Sequence, residues 1–106
     1  MTLSRKQQHF TAMIALLILH AEALGYRLTF GDAYRDPRCP YGSSRSLHHQ
    51  RLAVDFNLFK DGRYLTATED YRPLGEYWES LGGSWGGRFN DGNHFSLAHN
   101  LSLIHI

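Results

Sequence analysis

Residues 46–59 read SLHHQRLAVDFNLF, and the alternation in the second half of this stretch organises the rest of the chain. In a strand, alternate side chains share a face. Leu52, Val54, Phe56 and Leu58 make one apolar face, suited to packing on helices. Ala53, Asp55 and Asn57 make the other. Asp55 is therefore expected to point into a cleft rather than to be a buried unpaired charge. Ala53 is small and leaves room beside it. His48 lies in the loop just before the strand and can be brought over the same face, whereas His49 should point away from it as an ordinary loop histidine.

Working outward, Ser4 reads as an N-cap, and Phe10, Ile14, Leu17 and Leu24 recur at helical spacing before Gly25; this predicts a helix over 5–24. YRLTFGDAYR (26–35) alternates and is rich in β-formers, predicting a strand, and 36–47 holds the Pro, Gly and Ser of a loop. After the strand at 52–59, Asp61-Gly62 predicts a hairpin turn with a short return strand. Residues 69–81 predict a second helix closed by Gly82-Gly83, 84–93 a glycine-rich loop, and HFSLA (94–98) a last strand. The glycines around Trp85 favour placing Trp85 and Phe89 on a loop that lines the cleft. The order implies an α+β fold, with a small, mainly antiparallel sheet, helices packed on one side and the cleft on the other face. The 106 residues suit a single domain spanning 1–106.

Composition narrows the function classes. At 42% hydrophobic and 20% charged residues, the chain is an ordinary globular protein rather than a disordered one. A formal net charge of +1 gives little grip on phosphates, so nucleic acid is not an expected partner. The apolar run FTAMIALLIL (10–19) is too short to span a bilayer and continues as a helix stripe, so neither membrane insertion nor a signal peptide is expected. Cys39 is the lone cysteine and excludes an internal disulfide. Nothing in the sequence sets the oligomeric state; a monomer is favoured.

Seven histidines direct attention to metal. Zinc takes imidazole nitrogen and carboxylate oxygen, and a catalytic site uses three protein ligands with one position open. His48 and Asp55 supply two candidates. His94, which opens the final strand after the glycine-rich loop, is the best third; His99 is less well placed. A hydrolase also needs a base that is not a ligand, and Asp91, three residues before His94 in DGNHF, is the candidate, with Glu76 and Glu79 in reserve. A cation should meet the developing negative charge, and Arg35 at the end of the first strand is the candidate. On the residues alone a second reading stays open, in which Asp55 is a structural hydrogen-bond acceptor.

SLHHQRLAVD resembles the Ser-x-His-x-x-Gly-x-Ala-x-Asp motif of the M15 peptidases, and DGNHF resembles their second motif, an acidic residue three before a ligand histidine. These are zinc enzymes such as D-alanyl-D-alanine carboxypeptidases, VanX-type dipeptidases and phage L-alanyl-D-glutamate endopeptidases. The resemblance spans roughly 25–97. It implies zinc on His48, Asp55 and His94, Asp91 as acid/base, and Arg35 as the family's arginine after the first strand. Aspartate at 91 matches the phage endopeptidase branch; the dipeptidase branch has glutamate. One departure is Arg51, which stands where the motif has glycine and leaves the conformation of that loop open. The implied activity is hydrolysis of peptidoglycan stem peptides, as an L-Ala–D-Glu endopeptidase of endolysin type. Such an enzyme would be made in the cytoplasm and released to the wall. The rivals are a metal nuclease of HNH type, suggested by His48-His49, and a non-catalytic wall-binding module with structural zinc.

Overall fold

The computed structural model describes residues 2–31 and 52–98. It opens with helix α1, Leu3–Ala23. Thr2 is the N-cap: its hydroxyl accepts from the Arg5 N–H at 3.2 Å, satisfying one of the first-turn donors. Ser4, the expected cap, sits inside the first turn and accepts from the Gln8 side chain instead. The buried stripe is Phe10, Met13, Leu17 and Ala21. It is rotated from the expected one, with Ile14 only partly buried and Leu24 exposed. The run from 10 to 19 is apolar on nearly every side, so its periodicity alone leaves the inward face open. Gly25 (φ +90°) ends the helix in the left-handed region, and Gly82 (φ +93°) ends the second helix in the same way.

The strands are β1 (Tyr26–Phe30), β2 (Ala53–Lys60), β3 (Arg63–Leu65), β4 (Gly83–Trp85) and β5 (His94–Leu97). Helix α2 (Arg72–Ser80) lies between β3 and β4, entered through a 3-10 turn at Thr68–Tyr71. A second 3-10 turn, Gly86–Phe89, joins β4 to the loop before β5. All pairings are antiparallel, in the order β1-β2-β5-β4, with β3 also on β2. The fold is α+β, as expected. The β2–β3 hairpin turns at Asp61-Gly62, both at positive φ, as a two-residue hairpin requires.

β2 organises the sheet. Along one edge it pairs with β1, from Phe30↔Phe56 to Tyr26↔Lys60. Along the other, β5 takes 53–55 and β3 takes 58–60. Phe56 lies in the gap between these two partners. Its N–H donates to the Asn93 carbonyl at 2.9 Å, and its carbonyl accepts from the Tyr71 hydroxyl at 3.0 Å. Tyr71 is buried, and burial is the main reason its phenol is pushed up to about 12.

The apolar face of β2, with Phe95, Leu97 and Trp85, packs on α1 and on Leu74 and Trp78 of α2. Trp78 meets Phe10 and Phe95 edge-on at 5.8 and 5.9 Å, and its indole N–H donates to the Ser96 carbonyl. Trp85 departs from expectation. It is 1% exposed and belongs to the core, not to a cleft wall, while Phe89 projects into solvent. The small residues near Trp85 serve packing: a Cβ at Gly75 or Gly87 would stand within about 2.1 Å of the indole. The expected loop over 84–93 is thus a short strand, a 3-10 turn and a tight turn.

Candidate active site

The face of the sheet opposite the helices is polar because of the alternation in β2. The register Asp55↔His94 and Ala53↔Ser96 puts these side chains on one face across β2 and β5. Asn57 continues the row, donating to the Thr29 hydroxyl at 3.2 Å and accepting from Tyr64 at 3.3 Å. At its centre His94 Nδ1 stands 3.0 Å from Asp55 Oδ1. Both side chains are partly open, 25% for His94 and 19% for Asp55. Gly31 closes in from β1, its N–H donating to the Asp55 carbonyl at 2.7 Å.

The turn before β5 sets the height of His94. Asn90, in the left-handed region at φ 59°, ends the 3-10 turn. The Asp91 N–H then donates to the Gly86 carbonyl at 2.9 Å, and the His94 N–H to the Asp91 carbonyl at 3.2 Å. A Cβ on Gly86 would stand 2.2 Å from the Asp91 carbonyl oxygen and 2.9 Å from His94 Cβ, so this close return requires glycine. Asp91 is exposed. It borders a cavity of about 230 Å³ lined by Tyr64, Thr66, Thr68, Tyr71 and the turn 90–93.

Of the residues singled out from sequence, the structure brings Asp55 and His94 into direct contact and puts Asp91 on the turn leading into His94. His48, Arg35, Arg51, His49, Cys39 and His99 lie outside the described residues. Glu76 and Glu79 belong to α2, on the apolar side of the sheet. Glu79 accepts two hydrogen bonds from Arg88, which hold its carboxyl below the usual range, and Glu76 stands 4.0 Å from Arg72. Neither is positioned as a spare base.

The donor pair suits zinc. Zinc–nitrogen and zinc–oxygen bonds of about 2.0–2.2 Å in tetrahedral arrangement would set the two donors about 3.3–3.6 Å apart. The observed 3.0 Å is within a small side-chain adjustment of that. Among the described residues no third histidine, cysteine, aspartate or glutamate joins this pair.

Two residues hold Gly92 in ways the sequence did not indicate: Thr68, which was not singled out, and Trp85, which was expected on the cleft wall. The Thr68 hydroxyl accepts from the Gly92 N–H at 3.3 Å, and the Trp85 indole N–H donates to the Gly92 carbonyl at 2.7 Å. Thr68 meets Gly92 across 24 positions of sequence, a separation at which no local pattern exists to be read.

A family model described as D-alanyl-D-alanine carboxypeptidase, of the M15 peptidases, matches residues 41–97, more than half of the chain. The matched segment contains His48, Asp55, Asp91 and His94. It begins later than the expected 25, so Arg35 falls outside it. No curated protein matches the chain.

Proposed function

The chain belongs to the M15 peptidase family, and on that premise we propose that it is a zinc-dependent hydrolase of peptidoglycan stem peptides, an L-Ala–D-Glu endopeptidase of endolysin type. The observation that carries the reading is the in-register Asp55–His94 pair on the polar face, with Asp91 on the turn that enters β5. In this reading His48, Asp55 and His94 hold the metal. Bound zinc supplies a Lewis acid that polarises the scissile carbonyl and makes water more acidic. Asp91 takes a proton from the attacking water and delivers it to the leaving amine. The Arg35 guanidinium donates hydrogen bonds to the carbonyl oxygen as negative charge builds there. A single domain over 1–106, acting as a monomer after release to the wall, completes the proposal. No described helix is long and apolar enough to cross a membrane.

The nuclease alternative is less well supported. An HNH-type finger has its final histidine on a helix, whereas His94 opens strand β5. A structural zinc site has no use for an exposed carboxylate three residues before a ligand.

The test is parallel digestion of purified peptidoglycan and plasmid DNA, with and without chelator, followed by mass spectrometry of the released peptides. The expected result is chelator-sensitive cleavage that leaves a new amino terminus on D-Glu, with the DNA intact. Release of free D-alanine would instead make the chain a carboxypeptidase. Cleavage of DNA alone, or of neither polymer, would overturn the reading.

A further inference from the structure

We propose that Thr68 and Trp85 form a clamp on Gly92 that positions the Asp91 carboxylate, making them positioning residues for the hydrolysis. The proposal rests on the reading of Asp91 as the acid/base. Gly92 lies between Asp91 and His94, and both of its backbone polar groups are held by side chains from elsewhere in the fold. Its N–H donates to Thr68 Oγ1 at 3.3 Å, and its carbonyl accepts from Trp85 Nε1 at 2.7 Å. The peptide planes on either side of Gly92 are thereby fixed together. The planes set the direction in which the Asp91 side chain leaves the backbone.

The turn is also tied at its ends. Gly86 holds the Asp91 N–H, and the Asn93 carbonyl accepts from Phe56 N–H in the middle of β2. Those bonds locate the turn against the sheet. The clamp adds control of rotation within it, at a glycine, where the backbone otherwise resists rotation least. The fit is close: a Cβ on Gly92 would stand 2.7 Å from Thr68 Cα.

Both jaws are rigidly mounted. Trp85 is 1% exposed, with the Arg72 and Arg88 guanidiniums over its ring at 5.5 and 5.4 Å. Glu69 and Glu79 in turn hold those arginines by two hydrogen bonds each. Thr68 opens the 3-10 turn that feeds α2. The clamp therefore refers Asp91 to the α2–β4 core rather than to the loop alone. A displacement of about 1 Å in a catalytic group can cost on the order of 10²-fold in rate.

The test compares T68V, which keeps the shape and loses the acceptor, with T68S, which keeps the hydroxyl. W85F, which retains a ring and loses the N–H, probes the other jaw. Each zinc-loaded protein is assayed on stem peptide, with zinc content, Tm and the exchange rate of the Gly92 amide measured alongside. In T68V we expect kcat to fall about tenfold or more, KM to stay within about twofold, zinc content to hold, and the Gly92 amide to exchange faster. T68S should restore kcat to within about threefold. A T68V protein with wild-type kcat and a lowered Tm would show the contact to be structural only and overturn the proposal. Rapid exchange of the Gly92 amide in the wild type would overturn the clamp itself. If the wild type shows no chelator-sensitive hydrolysis while that amide is protected, the reading of Asp91 fails and the clamp remains as geometry.

Discussion

His94 Nδ1 and Asp55 Oδ1 face each other at 3.0 Å on a partly open sheet face, whereas Asp91 is exposed on the turn just before His94. The two kinds of position predict different failures. His94→Ala should lose zinc and hydrolysis together, read by elemental analysis and peptide assay on the same preparation; full zinc in that variant would exclude His94 as a ligand. Asp91→Ala should keep its zinc and lose on the order of 10²-fold in kcat, the usual scale of general acid–base catalysis. Zinc loss there would make Asp91 a ligand instead. The placement of these residues was legible in sequence, because strand alternation puts Asp55 on the face opposite the core and the glycine-rich stretch ahead of HFSL sets Asp91 on the turn that leads into β5. Thr68 and Trp85 were not legible. Trp85 reads as a cleft-lining loop residue and Thr68 carries no pattern of its own until the fold brings Gly92 between them.

At the scale of elements, β2 has two different partners on one edge, and the seam between them is closed by a side chain. The Tyr71 hydroxyl donates to the Phe56 carbonyl at 3.0 Å where neither β3 nor β5 reaches. Tyr71→Phe should therefore cost about 1–3 kcal/mol, the usual penalty for leaving a buried acceptor without its donor, measured by urea unfolding. The same contact carries a pH signature. Burial favours the neutral phenol and raises its folded-state value from 10.0 to about 12. The contribution is thus complete below about pH 10 and is lost as pH rises from there towards 12. The stability gap between wild type and Tyr71→Phe should narrow over that window. A gap that stays constant to pH 12 would show that the hydroxyl does not ionise in the unfolded chain alone. The hairpin at Asp61-Gly62 and the glycine stops after both helices were readable, because positive φ is a local demand. The inward face of α1 was not, since the buried stripe runs through Met13 and Ala21 rather than Ile14 and Leu24.

At the scale of the molecule, zinc on His48, Asp55 and His94 would tie the segment before β2 to strands β2 and β5, so binding should stabilise the whole fold. Saturating zinc at about 100 times its Kd adds roughly 2.7 kcal/mol to a folded state that alone binds it. Chelator should therefore lower Tm, excess zinc should restore it, and His94→Ala should show neither response in a calorimetric scan. A Tm indifferent to zinc in the wild type would mean the metal does not bind the folded chain. What the sequence by itself determined was the α+β class, the two-faced β2 and the hairpin turn at Asp61-Gly62, because each follows from alternation or turn chemistry. The tertiary structure alone decided the register that sets Asp55 against His94, the burial of Trp85, and the grip on Gly92. These depend on which residues 7 to 39 positions apart come to touch, and such contacts are chosen by the packing of the helices and sheet together rather than by any local stretch of chain.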